Sequence, residues 1–210
     1  MLINLGDDMQ LHTFSNLPDH KAAHIVIDLE TLSTQPNALV LSIGAVGLNK
    51  YGDILPGAGF HLPIDPAAQQ KRRHVDIGTQ QWWAGIKCPI ARCASIDAPA
   101  TTQALVENAL TAFSDFVNEW SDQDTVCIWG NGCSFDNVIL ATLYQDWNKP
   151  LPWRFWNDRD MRTITAIFPH LKLLPFDGFK HHALDDAMHE AQQLSAAIKH
   201  LQQQPSAVTA

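Results

Sequence analysis

The acidic residues of this chain fall into a pattern suited to metal-assisted hydrolysis. There are 18 Asp but only 4 Glu (Glu30, Glu107, Glu119 and Glu190), so a Glu at a fixed place in a motif carries more information than usual. Three short motifs stand out: Asp28-Leu-Glu30-Thr31, Phe135-Asp136 and His181-His-Ala-Leu-Asp185-Asp186. Each alone is weak. By chance, Asp-x-Glu is expected about 0.3 times and His followed five residues later by Asp about 0.9 times in this composition. Their placement carries the information.

In a strand, residues i and i+2 share a face. Asp28 and Glu30 therefore stand side by side, with Leu29 pointing the other way. Two anions so close are best tolerated with a cation between them. Asp136 falls in the first turn of one helix and Asp186 early in another, and both helices can deliver a carboxylate to one rim of a sheet. Four carboxylates without paired Cys or His ligands make an oxygen-rich site, suited to Mg²⁺ or Mn²⁺ rather than Zn²⁺. Two such ions about 3.5–4 Å apart can activate a water and stabilise the leaving oxygen in an in-line attack on a phosphodiester. His181 is the candidate general base, because imidazole titrates near neutral pH.

Several neighbours compete for roles. Spacing selects Asp186 over Asp185 and His181 over His182. Phe135 is either plain core or a face against a base, and Trp82 and Trp83 are either packing or a stacking platform for unpaired bases. Arg159 and Arg162 either hold phosphates or form exposed ion pairs with Asp158 or Asp160. Lys71-Arg72-Arg73 reads as a solvated face, or as a guide for an incoming strand. Cys133 lies beside the site but has no local base to make it a nucleophile.

The elements that must position these residues are legible in outline. His24–Glu30 is a β-branched run that reads as a central strand. Ala38–Leu48 is a second strand, turning at 49–53 into a third near Gly59–Ile64, so the three neighbours should be antiparallel. Residues 65–78 read as loop, Thr79 as the cap of a helix through Trp82 and Trp83, and 88–100 as loop. Thr101–Trp120 has helical apolar spacing. Thr125–Trp129 is a short strand, and 130–134 a turn. Ser134 is the expected cap of a helix from Phe135 to about Trp147. A strand over 153–157, a helix over Asp160–Phe168 and a last helix from about Ala183 to Gln203 complete the order. An α/β sheet of mixed direction follows, with helices on both faces. Ligands should collect beyond the carboxyl ends of its parallel strands.

Composition agrees. The chain has 210 residues, 46% of them hydrophobic and 17% charged, enough for one packed domain over 23–203. Residues 1–22 read as a loose lead-in and 204–210 as a flexible tail. A net charge of −8 argues against coating nucleic acid through overall positive potential. No apolar run approaches the ~18 residues of a membrane span, so no membrane partner is expected. The amino terminus carries no export signal. The four cysteines form no CxxC pair and suit a reducing cytoplasm.

The motifs in this order, with Leu41-Ser-Ile-Gly-Ala, Trp82-Trp83, Trp129-Gly-Asn-Gly-Cys-Ser-Phe-Asp136, Pro152-Trp, Trp156-Asn-Asp-Arg159, Arg162-Thr and His182-Ala-Leu-Asp-Asp-Ala187, resemble the DEDDh branch of the 3′–5′ exonuclease superfamily. Within it they look most like a bacterial and phage exoribonuclease-like subgroup, over roughly residues 23–200. The resemblance implies a ribonuclease H-like fold whose first three strands are antiparallel and the rest parallel. It also implies two divalent metal ions and stepwise release of nucleoside 5′-monophosphates from the 3′ end of single-stranded RNA or DNA. Asp28, Glu30, Asp136 and Asp186 match its metal carboxylates, and His181 its base. Thr31 and Leu32 match terminal-nucleotide contacts. Many relatives place an Asn four residues before the second-motif Asp. Here that position is Gly132, and Asn131 lies five before, so Asn131 either meets the terminal sugar differently or shapes the turn. Some superfamily members are homodimers, which leaves a homodimer open. A non-catalytic nucleic-acid or nucleotide binding module on the same fold is the alternative reading.

Overall fold

The computed structural model describes residue 14 and residues 17–203. The expected tail, 204–210, and most of the expected lead-in lie outside the described residues. A five-stranded sheet organises the chain, in the order β3(Ile54–Pro63), β2(Val40–Leu48), β1(His24–Thr31), β4(Cys127–Gly130), β5(Asp158–Asp160). β1, β2 and β3 pair antiparallel, whereas β4 and β5 run parallel to β1. This is the mixed sheet expected from the sequence.

β1 is central, and its alternation sorts two layers. Ile25, Ile27 and Leu29 pack with Val106, Leu110, Phe113 and Val117 of α3(Val106–Trp120) and with Ile139, Leu140 and Leu143 of α4(Asp136–Asp146). Val26, on the opposite face, packs with Met161 of α5(Met161–Ile167) and with Ala187, Ala191 and Leu194 of α6(Ala183–Gln203). Small residues on α6 let it lie close to the sheet. At Gly44, paired with Asp28 across β1 and β2, closeness is obligatory: a Cβ there would overlap the backbone of Ala183 and Leu184.

Elements shift where local hydrogen bonds override apolar spacing. The helix expected from Thr101 begins at Val106, because Ala104 donates its N–H to Pro63 and accepts one from Asp65. Thr79 does not cap α1(Ile77–Gly85). Asp76 does, accepting the Thr79 N–H at 2.7 Å and its hydroxyl at 3.0 Å. Ser134 does not cap α4 either: residues 131–135 form a turn closed by N–H groups of Phe135 and Asp136 on the Gly132 carbonyl, and Phe135 is the cap. Pro89, read as loop, opens a short helix, α2(Pro89–Cys93). The strand expected over 153–157 lies at 158–160, after a single 3-10 turn at Phe155–Asn157 that leaves Phe155 and Trp156 exposed. No helix among the described residues is long and apolar enough to cross a membrane.

Candidate active site

β1 and β4 run side by side in one direction, so their carboxyl ends open on the same rim. Asp28 and Glu30 leave β1 on the α6 side. Asp136 opens α4 directly after β4 and its turn, and its Oδ1 accepts the Leu29 N–H at 3.2 Å, tying the helix to β1. Asp186 sits in the first turn of α6, where its Oδ2 accepts the His181 N–H at 2.6 Å. His181 is held at φ 68°, a left-handed conformation uncommon outside glycine, and its ring meets Trp82 edge-on at 4.7 Å. One oxygen each from Glu30 and Asp186 and one His181 ring nitrogen all lie within 4.8 Å of one another. The structure therefore gathers all five residues of the three motifs on one rim.

A fifth carboxylate joins them. Glu190 follows Asp186 by four residues on α6, so the two share a helix face. It is only 5% exposed. Spacing from Asp186 and the scarcity of Glu were the signals available for it, but the motif ends at Asp186.

Crowded anions out of water raise one another's affinity for protons. Burial pushes Asp28 well above the ordinary carboxylate range, followed by the charges of Glu30, Asp136, Glu190 and Asp186. Burial, then Asp186 and Asp136, pushes Glu30 up to about 8. Asp136 rises to about 7 through burial, although N–H groups of Leu29 and Asn131 and the Arg162 charge oppose it. Glu190 is raised by burial and by Asp136, Asp186 also contributing, and Asp186 chiefly by burial. An all-oxygen set of this density fits a hard divalent cation, which would lower the cost of keeping the acids ionised.

Two cavities flank the acids. One, of about 440 Å³, is walled by Leu29, Thr31, Trp82, Trp83 and Phe135, with Glu30 at its edge. The other, of about 690 Å³, is lined by Asn131, Arg162, Lys172 and Lys180, with Asp186 and Glu190 between them.

The remaining expected residues divide. Thr31 lines the aromatic cavity, and its hydroxyl donates to the Ser33 carbonyl at 2.7 Å. Leu32 is instead buried against Leu39, Leu41 and Trp83 and lines neither cavity. Of the two tryptophans, Trp82 is exposed at the cavity. Trp83 is core, its indole N–H donated to the Thr31 carbonyl at 2.9 Å. Asn131 braces the acids: its backbone N–H serves Asp136 and its side chain Glu190. Arg162 lines the polar cavity, but Arg159 lines neither, and bonds the Trp156 and Asp158 carbonyls, each at 2.9 Å. Arg73, read within a solvated run, is buried. It clamps α4 to the β1–β2 connection through Ala38, Ile139, Thr142 and Asp146. Asp185 accepts the Phe179 N–H at 2.8 Å, and His182 stacks on His61 at 4.5 Å. Burial and Asp160 raise the Cys133 thiol, which keeps it a thiol.

Sheet order, flanking helices and converging acids together define a ribonuclease H-like nuclease fold. Solved structures agree. The nuclease domain of 3′hExo, a DEDDh family member bound to rAMP, superposes with a TM-score of 0.56 at 14% identity, covering 88% of this chain and 94% of that one. E. coli exonuclease I in complex with a dT13 oligonucleotide gives 0.56 at 14% identity, covering 86% of this chain but 41% of that one. In sequence, an exodeoxyribonuclease of Enterobacteria phage T4 is 26% identical over 162 residues, 66% of this chain and 68% of that protein. Of cell-death related nuclease 4, another structure of similar fold, the chain spans 64%. The chain belongs to the 3′–5′ exoribonuclease Rv2179c-like domain family, whose model matches residues 23–198. The class expected from the motifs is the class of this family.

Proposed function

We propose that this chain is a divalent-metal-dependent 3′–5′ exonuclease that removes nucleoside 5′-monophosphates from single-stranded ends. One observation carries the reading: Asp28, Glu30, Asp136 and Asp186 converge with His181 on one rim, directly beside an aromatic-walled cavity. Asp28, Glu30, Asp136 and Asp186 would hold the metal, as two Mg²⁺ or Mn²⁺ ions. When bound, such ions polarise a water and offset charge on the leaving oxygen. His181 is placed to take the proton from an attacking water, its ring set by the backbone bond to Asp186 and by the Trp82 edge. Trp82 and Phe135 receive the terminal nucleoside, with Thr31 at the sugar side. Arg162 meets a phosphate on the opposite side.

Sugar preference rests on contacts to a single 2′-hydroxyl. The family is named for RNA and the phage relative for DNA, so both belong in the test. Matched RNA and DNA oligomers labelled at either end are incubated with Mn²⁺, Mg²⁺ or EDTA and resolved on gels. We expect 3′-labelled strands to release labelled mononucleotide at once, 5′-labelled strands to shorten stepwise, and EDTA to abolish both. Full activity in EDTA overturns the proposal. Tight binding without any mononucleotide release points instead to a binding module.

A further inference from the structure

Glu190 is not among the four acids of the motifs, yet its surroundings are unlike those of a packing residue. Its side chain is 5% exposed, and Oε2 has no hydrogen-bond partner among the described residues. Leaving such an oxygen buried and unpaired is costly. Arg162 contributes a favourable charge without forming one of the ion pairs present among the described residues. Asn131 satisfies the carboxylate only in part.

Its position supplies the rest. Glu190 lines the polar cavity together with Asp186. Its strongest anionic neighbour is Asp136, then Asp186, and Asp28 feels it too. Glu30, by contrast, is grouped with His181 and Asp186. The acids thus extend from Glu30 at the aromatic cavity to Asp186 and Glu190 at the polar one.

Resting on the metal-centre reading above, we propose that Glu190 is a fifth carboxylate of that centre, its Oε2 completing the coordination of the divalent ion on the polar-cavity side. Coordination would end the isolation of that oxygen, and Asn131 would hold the carboxylate in its orientation. Partners that orient metal ligands typically change affinity by about 10–100-fold when removed, and a ligand should do no less.

Metal-stripped protein is titrated with Mn²⁺ by calorimetry and by Mn²⁺-dependent thermal shift, in the parent chain, Glu190→Gln, Glu190→Asp and Asp186→Asn. Glu190→Gln should weaken one Mn²⁺ event at least about tenfold while the metal-free protein melts no lower than the parent. A lowered metal-free melting temperature with unchanged Mn²⁺ affinity would assign Glu190 a packing role and overturn the inference. Should the Gln variant not fold, Glu190→Asp retains the charge but withdraws the oxygen by one carbon. It must then weaken Mn²⁺ binding, and parent-like binding refutes the proposal. Loss of binding in Asp186→Asn with parent-like binding in Glu190→Gln rejects the role of Glu190 alone. Parent-like binding in Asp186→Asn rejects the metal centre itself.

Discussion

The two cavities beside the acids differ in how they are made and in what they can hold. The aromatic one is built by the end of β1, by α1 and by Phe135, from side chains that also belong to the core: Trp83 is fully packed and Phe135 rests on the main cluster. The polar one is built by α5, the 169–182 connection and α6. Lys180 there lies 5.8 Å from the Phe176 ring centre, and Phe176 meets His189 at 5.0 Å. One presents flat aromatic surface fixed by packing, with Glu30 and Asp76 among its lining. The other presents the long cationic side chains of Arg162, Lys172 and Lys180. Under the proposed function, the aromatic wall would read shape and the cationic wall charge.

If that division holds, the acidic floor should respond most strongly. Glu30 is raised from 4.5 to about 8 and Asp136 from 3.8 to about 7, so each favours the folded state when protonated. In metal-free protein this contribution is complete below the unfolded values and is lost as pH rises through the folded ones. Melting curves in EDTA should therefore show stability falling by several kcal/mol between about pH 4 and 8. Saturating Mg²⁺ should restore most of it at the alkaline end. A flat metal-free profile would mean that the acids are not crowded in solution.

Trp82→Ala comes next. It should cost about 1–3 kcal/mol in binding a strand end, the usual value of one stacked base, seen as raised KM and insensitive to salt. Smallest is Lys172→Gln combined with Lys180→Gln. Affinity should fall modestly, and the slope of log affinity against log salt should flatten by about 0.7 for each phosphate of a single strand that is no longer neutralised. A salt-sensitive Trp82 variant, or a lysine variant with an unchanged slope, would break the contrast between the walls.

Much of this was legible in the chain. Alternation in His24–Thr31 placed Asp28 and Glu30 together, and helix starts placed Asp136 and Asp186, because period and position depend on backbone geometry alone. What escaped depends on which neighbour a side chain finds. Arg73 read as a solvated cation until the folded chain supplied two carbonyls, Thr142 and Asp146. Leu32 matched a nucleotide contact but faces Leu39 and Leu41. Trp82 and Trp83 are indistinguishable in sequence, and the single helical step between them on α1 sends one to the cavity and the other inward. Glu190 lies beyond the last motif, and its spacing from Asp186 and the scarcity of Glu hinted at it, but its burial and unpartnered oxygen appear only in the fold.

Gly44 lies under the acids, where a β-carbon would collide with the start of α6. The gap between sheet and helix at Gly44 therefore has room for a hydrogen atom and not for a methyl group. One methyl at that position would raise the helix like a shim under a bearing. Asp186, Glu190 and the backbone bond aiming His181 would all be carried off together, while every acid remained in the sequence. A catalogue of metal-binding side chains would score such a protein as intact; only its spacing would be wrong.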